Sequence, residues 1–379
     1  MSGLLVVAGE ASGDRAASAV VARLPGARVF GLGGAALAGC GVELVGDLRS
    51  TTALGIGEAL ARGWSVVRAW HAVVTASEER RPRAALLVNY SEFNTRLARR
   101  LHAAAIPVLW YGAPQVWAWR PTRAAALRRF VDRMAVILPF EERIWREAGV
   151  DALYVGHPAL ETPALSREEA RRVLDIAVRA PALAILPGSR PHEVRSLLDP
   201  MLDAFARLRS GRPALDGRVL VAASLDERTK SFVRDRARWQ RVRTFDVDAR
   251  GGAAPLLRAF DVALCASGTV SLEAALAHAV PVVVYRVGPT TEMVARLALR
   301  TPHVGLPNVL LGRRAFTELL QREARPDRMA DAVAAAIDHR ESLLGACEEI
   351  VSVLGHVRGP SASVARLLAP WLGLSPEAA

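Results

Sequence analysis

Three short stretches of this chain place glycine, hydroxyl and charged residues directly after an aliphatic run, the pattern that cradles a phosphate. They are Gly9-Glu10-Ala11-Ser12-Gly13-Asp14, Pro187-Gly188-Ser189-Arg190 with Glu193 one turn on, and Ala266-Ser267-Gly268-Thr269 followed by Ser271 and Glu273. Each reads as a strand, a tight turn and a helix start, where free backbone N–H groups and the helix dipole favour an anion. Arg190 adds a fixed, multi-donor cation suited to a diphosphate. Neither a Walker pattern nor a full Gly-x-Gly-x-x-Gly follows the first run, so kinase and simple dinucleotide chemistry lose support.

The elements that must position these loops are short strands alternating with helical stretches, the pattern of parallel sheets covered by helices. Strands are predicted at Leu4–Ala8, Arg28–Phe30, Ala84–Val88, Pro107–Tyr111, Met134–Leu138 and Leu153–Val155. After Gly156-His157-Pro158 and Pro163 a helix near Arg167–Leu174 restarts the pattern, with strands at Leu183–Leu186, Val219–Ala223, Val242–Phe245, Val262–Cys265 and Val282–Tyr285. The fold class is therefore α/β, with two Rossmann-like units and a ligand expected between them at the carboxyl ends of the strands. The expected division is residues 1–158 and 159–354, with a helical segment from about 355 to 379 able to return to the first unit. Thr269 to His278 and Val351 to Leu368 read as helices.

Composition narrows the setting. The 379 residues are 51% hydrophobic, yet no uncharged apolar run reaches the roughly 18 residues of a membrane span. Leu4 to Ala8 lacks a basic lead and a cleavage-type end, so it reads as a strand rather than a signal peptide, and a cytoplasmic location is expected. Cys40, Cys265 and Cys347 are too few and too scattered for a disulfide framework and are expected to be buried thiols. A formal charge of +11 suits an anionic partner without choosing one. Nucleic acid is disfavoured, because no zinc-finger spacing, RNA-binding signature or basic tail accompanies the charge.

Read in order, these blocks resemble the lipid-A-disaccharide synthases, inverting glycosyltransferases of the GT-B fold. Besides the glycine loops, the resemblance rests on Pro114-Gln115-Val116-Trp117-Ala118-Trp119-Arg120, Leu138-Pro139-Phe140-Glu141, Gly156-His157-Pro158, Pro281 to Arg286, Leu306-Pro307-Asn308 and Glu318-Leu319-Leu320-Gln321. It implies condensation of UDP-diacylglucosamine with diacylglucosamine 1-phosphate to a β-1,6 disaccharide plus UDP, at the inner-membrane surface and without a metal or other cofactor. It leaves room for a homodimer. The UDP side would use Gly188, Ser189, Arg190, Glu193, Ser267, Gly268, Thr269, Glu273, Tyr285, Arg286, Asn308 and Gln321. Glu273 would accept from ribose hydroxyls. Ser12, Gly13, Gln115, Trp117, Trp119 and Arg120 would serve the acceptor or its acyl chains, and His157 would pack at the hinge without a catalytic role.

An inverting transfer needs a base on the acceptor hydroxyl, and here the chain departs from the family. The usual Ile-Asp-x-Pro-Asp-Phe-Asn is Val88-Asn89-Tyr90-Ser91-Glu92-Phe93-Asn94, so Asn89 falls on the expected base and an amide cannot take the proton. Glu92 keeps a carboxylate at the second position. The candidate bases are thus Glu92 and the carboxylates Glu10 and Asp14, and a slow or silent binding paralogue and a different UDP-sugar reaction such as epimerisation remain as alternatives. Arg83 and Ala113 replace an aspartate and a serine of the family pattern, and Thr317 replaces a proline. Finally, Leu60, Trp64, Val67, His71 and Val74 share one helical face beside Arg62 and Arg68, which fits either an interfacial helix or a core stripe. Core packing is the expectation, and both uses can share the helix.

Overall fold

A computed structural model describes residues 3–47, 56–118, 122–248, 251–288, 301–355, 357 and 359–375, with 47, 56–63 and 122 described through the backbone alone. The chain divides into two compact units, Met1–Glu161 with His356–Ala379, and Thr162–Gly355.

The first unit runs β1 (Gly3–Ala8), α1 (Ala11–Val21), β2 (Arg28–Gly33), α2 (Ala35–Ala38), β3 (Glu43–Asp47), α3 (Ile56–Arg80), β4 (Ala84–Val88), α4 (Ser91–Ala103), β5 (Val108–Tyr111), α5 (Thr122–Leu127), β6 (Arg133–Val136), α6 (Pro139–Glu147) and β7 (Ala152–Tyr154). All strands pair in parallel in the order β3-β2-β1-β4-β5-β6-β7. Leu4–Ala8 and Ala84–Val88 are buried along their whole length, as expected of central strands covered on both faces. One face packs on Val73, Phe93, Leu97 and Trp145. The other packs on Ala17 and Val20 together with Val364, Leu368 and Leu372, residues from near the end of the chain.

The second unit runs α7 (Arg167–Leu174), β8 (Ala182–Leu186), α8 (Pro191–Gly211), β9 (Asp216–Val221), α9 (Glu227–Trp239), β10 (Arg243–Asp246), β11 (Val262–Ala266), α10 (Thr269–Leu276), β12 (Val280–Tyr285), α11 (Leu306–Leu311), β13 (Glu318–Leu320), α12 (Pro326–Asp338) and α13 (Arg340–Leu354). Its parallel sheet has the order β10-β9-β8-β11-β12-β13. The last helix, α14 (Pro360–Leu372), belongs to the first unit.

Both sheets reverse their direction of growth beside their first strand, between β1 and β4 and between β8 and β11. Connections from such a pair leave toward opposite faces and open a crevice at the carboxyl edge, where ligands of this fold class bind. The glycine loops follow β1, β8 and β11, and Asn89 follows β4. The topology therefore brings the sequence candidates to the two places where the sheet can expose them.

Four expectations need correction. The short edge strands β3 and β13 were not predicted. The helix read across Val351 to Leu368 is two helices, because Gly359 takes a left-handed φ of 77° and Pro360 opens α14. Cys40 is exposed, while Cys265 and Cys347 are buried. On α3 the core side is Ala69, Val73, Val74 and Ala76, whereas Trp64 is 70% and Val67 46% exposed and His71 also faces outward. Core packing thus holds for Val74 alone among the described side chains of that stripe, and Leu60 and Arg62 lie among those described by backbone only.

Candidate functional site

In the first unit the bend after β4 is built from two left-handed residues, Asn89 at φ 50° and Tyr90 at φ 45°. Asparagine tolerates this region better than most side chains. Buried Asn94 reaches back from α4 and donates to the Asn89 carbonyl at 3.0 Å, holding the bend. The Asn89 amide fills a niche between two glycines. A Cβ at Gly112 would stand 2.2 Å from its Oδ1, and one at Gly13 would stand 3.3 Å from its Nδ2. Gly9 is needed for a similar reason, since a Cβ there would fall 2.0 Å from the Tyr90 ring. The Tyr90 ring also stacks on Phe93, with centroids 5.1 Å apart.

The four candidate groups for proton transfer have different surroundings. Asp14 is 5% exposed, and its Oδ1 accepts from Gly34 N at 2.7 Å while Oδ2 accepts from Ala36 N at 2.9 Å. Its carboxylate ties α1 to the start of α2. Glu92 is paired with Arg123 of α5, Nη2 donating at 2.6 Å, and its side chain is 63% exposed. Glu10 is exposed at the cap position of α1, where its side chain makes no cap hydrogen bond. Asn89 offers an amide only. Ser12 is half-buried beside them.

The segment that leaves β5 begins at Gly112, against Asn89, and carries exposed Gln115 and half-buried Trp117. Trp119 and Arg120 lie outside the described residues. Trp117 donates from Nε1 to Glu141 Oε1 at 3.0 Å and packs edge-on against Phe140, with centroids 5.2 Å apart. Glu141 is 1% exposed, and burial pushes its carboxyl up to about 7, against the pull of the Trp117 and backbone N–H donors. His157 is also buried, its ring held to about 4 by desolvation. Its Nδ1 accepts from Ala159 N at 3.1 Å, so it is a neutral turn residue.

In the second unit the two phosphate-type loops are not equivalent. After β8, Gly188 has φ 121°, and a Cβ there would stand 2.5 Å from Glu193 Oε2. That oxygen accepts from Ser189 N at 3.2 Å and Arg190 N at 3.3 Å, and Oε1 lies 3.3 Å from Arg190 Nη1. Glu193 therefore fills the amide nest that the sequence suggested for a phosphate, while the Arg190 side chain is half exposed. After β11, Ser267 Oγ donates to Val304 O at 3.0 Å, and Gly268 starts α10 with no side-chain cap. Thr269 is half-buried and Glu273, one turn in, is 7% exposed.

Tyr285 ends β12. Its hydroxyl is raised first by burial and then by the negative charge of Glu193, with Arg190 opposing, so the three residues sense one another. Arg286 donates to the Ser196 and Ala324 carbonyls. Gln321 grips Val287, its Oε1 accepting from Val287 N at 2.8 Å and its Nε2 donating to Val287 O at 3.3 Å. Arg286, Val287 and Gln321 line an open cavity of about 540 Å³ with Arg322 and Arg325. Asn308 is 1% exposed. Its amide is fully engaged with Phe316 O, Glu318 Oε1 and the Ala315 and Phe316 N–H groups, so it shapes the loop rather than facing a ligand. Sequence reasoning missed Arg123 and gave no role to Glu141 and Glu318, though both stand in its motifs.

Two parallel Rossmann-like sheets with loops of this kind define the GT-B class. Solved structures agree: UDP-GlcNAc 2-epimerase from Neisseria meningitidis matches with a TM-score of 0.66 at 12% identity, covering 97% of this chain and 99% of that one. MurG of Acinetobacter baumannii matches at 0.55 and 16% identity, covering 97% and 99%. At such identities the likeness speaks for the fold alone. The sequence profile of the lipid-A-disaccharide synthetase family matches residues 4–349. The chain is 42% identical over 363 residues to the lipid-A-disaccharide synthase of Myxococcus xanthus, covering 94% of this chain and 92% of that one, and 35% identical over 361 residues to that of Syntrophus aciditrophicus, with the same coverage. The chain belongs to the lipid-A-disaccharide synthetase family, and is thereby a hexosyltransferase of lipid A biosynthesis.

Proposed function

We propose that the chain condenses UDP-2,3-diacylglucosamine with 2,3-diacylglucosamine 1-phosphate, with inversion, to the β-1,6 disaccharide 1-phosphate and UDP. The observation that carries this reading is the gathering of the loops that bear the family's motifs at the switch points of both sheets. On the donor side, Arg190 supplies positive charge and the uncapped start of α10 at Gly268 and Thr269 supplies backbone donors for the leaving diphosphate. Glu193 keeps its neighbouring loop in shape, and Glu273 is the candidate for the ribose.

On the acceptor side we assign the base to Glu10. Asp14 is buried and held by backbone donors, and Asn89 cannot accept a proton. Glu10 sits exposed at the end of β1, next to the niche that Asn89 fills. Release of UDP from UDP-2,3-diacylglucosamine in the presence of the acceptor tests the reaction. Absence of release under conditions where a family member with the aspartate turns over would sink it.

Asn89 supports a second reading, a paralogue that binds nucleotide-sugar or lipid and transfers slowly or not at all. Epimerisation of a UDP-sugar has only the shared fold in its favour. Access to diacylated substrates requires a membrane surface. The exposure of Trp64, Val67 and His71 beside Arg68 on α3 supports that helix as the part that rests on the inner membrane. Among the described residues no helix is long and apolar enough to cross one.

A further inference from the structure

Among the described residues three helices use a glutamate in the third helical position to accept the backbone N–H of the cap residue, but they do so in different settings. On α7, Glu169 accepts from Ser166 in the open, and its carboxyl is lowered first by the Ser166 hydroxyl and then by that backbone bond. On α8, Glu193 does so beside half-exposed Arg190. On α6, Glu141 accepts from Leu138 N at 3.2 Å while it is 1% exposed. A helix cap does not require burial, and a buried carboxylate is costly unless its oxygens are engaged. What distinguishes Glu141 is that its second bond reaches a side chain 24 positions away, Trp117 Nε1.

That bond fixes one end of a segment whose other end abuts the proposed acceptor site. Gly112 lies so close to Asn89 that a side chain there would collide with the amide, and Gly112 N donates to Ala135 O at 3.0 Å. The tryptophan ring is then seized on two sides by the first turn of α6, through Glu141 and through Phe140. Small shifts of such a segment weaken the holding of a bound group without unfolding the domain.

We infer that Glu141 is a positioning residue of the transfer reaction: through Trp117 it fixes the segment from Gly112 to Ala118 beside Asn89 and so sets how the acceptor sugar is held. The inference rests on the transferase reading above. Trp117→Phe removes the donor and keeps a ring. Glu141→Gln keeps one carbonyl oxygen for two donors, and Glu141→Ala keeps none.

Steady-state UDP release, with donor and acceptor varied separately, is compared among wild type, these three variants and Trp117→Phe combined with Glu141→Gln. Titration of diacylglucosamine 1-phosphate into the same proteins gives acceptor binding without turnover. The acceptor KM and Kd rise about tenfold in Trp117→Phe and in Glu141→Gln, as for one lost hydrogen bond. They rise further in Glu141→Ala, and the double variant is no worse than the weaker single. The donor KM stays within about twofold. Acceptor binding unchanged in folded Trp117→Phe and Glu141→Gln, or donor and acceptor KM rising together, overturns the inference and leaves Glu141 a helix cap. A wild type that binds acceptor but releases no UDP sinks the transferase reading alone, and the titration then decides the role of Glu141. A wild type that does neither overturns both.

Discussion

Arg123 Nη2 donates to the Glu92 carboxylate at 2.6 Å, joining the first turn of α5 to the first turn of α4. The residue that keeps the family's second carboxylate is thereby turned toward a cation that the family motif does not contain. An exposed pair of this kind contributes about 0–1 kcal/mol. Arg123→Ala should therefore leave Tm within about 2 °C of wild type. A larger fall in thermal unfolding would mean that the pair holds the α4 and α5 termini more strongly than its exposure suggests.

The choice of Glu10 over Glu92 as base is tested by substitution. Glu10→Gln is expected to lower kcat by about 10²- to 10⁴-fold, the usual yield of general-base catalysis. Glu92→Gln should cost less than about tenfold. The reverse ranking in UDP-release assays would return the role to Glu92.

Asn89→Asp is close to isosteric and aspartate also accepts a left-handed backbone, so the variant should fold with an unchanged Tm. With Glu10 as base its kcat changes by no more than about fivefold, well below a full general-base contribution. A gain of two orders of magnitude over a nearly silent wild type would favour the binding paralogue.

Asp14→Asn places an NH2 against the backbone donors at Gly34 and Ala36. Buried donors left without an acceptor cost about 1–3 kcal/mol. Denaturant unfolding should record that loss, and a variant as stable as wild type would show that the α1 to α2 tie is dispensable.

Glu141 carries a pH signature. Its carboxyl stands at about 7 in the folded chain, against 4.5 when unperturbed, because burial penalises the charge. Between those values the folded state holds the extra proton, so the contribution of Glu141 to stability is complete below about pH 4.5 and is lost as pH rises through about 7. The full span is up to roughly 3 kcal/mol. Glu141→Gln cannot titrate, so its stability relative to wild type should improve between pH 5 and pH 8 in paired thermal melts. A constant difference would place the carboxyl in ordinary solvent.

Liposome sedimentation tests α3. Replacing exposed Trp64 and Val67 by serine should reduce binding to anionic vesicles severalfold, since the buried apolar area drives interfacial binding. Unchanged sedimentation would remove α3 as the contact.

What the sequence made legible follows from where the physics is local. Central strands are continuous apolar runs, and Gly9, Gly13, Gly188 and Gly268 stand where a strand turns into a helix, so the sheets and the loops could be read directly. Glu141 and Arg123 were not legible, because each has its meaning in a partner remote along the chain, Trp117 and Glu92, and Glu318 because its bond to Asn308 depends on how the loop between them folds. Glu193 and Asn308 make hydrogen bonds within their own loops, which their places in the motifs do not announce. The helical stripe on α3 had the right period, but a period does not say which way it faces.

Glu161 accepts from Ser361 N at 3.1 Å and from Ser361 Oγ at 2.7 Å, across 200 positions of chain. Behind that latch, Val364, Leu368 and Leu372 complete a core begun by Leu4 and Val6. The second unit is an uninterrupted stretch and has all its parts as soon as Gly355 has left the ribosome. The first must hold an apolar sheet face open until α14 has been made, so the half that is begun first is finished after the second. Nascent chains released before α14 should therefore be bound by chaperones through that face.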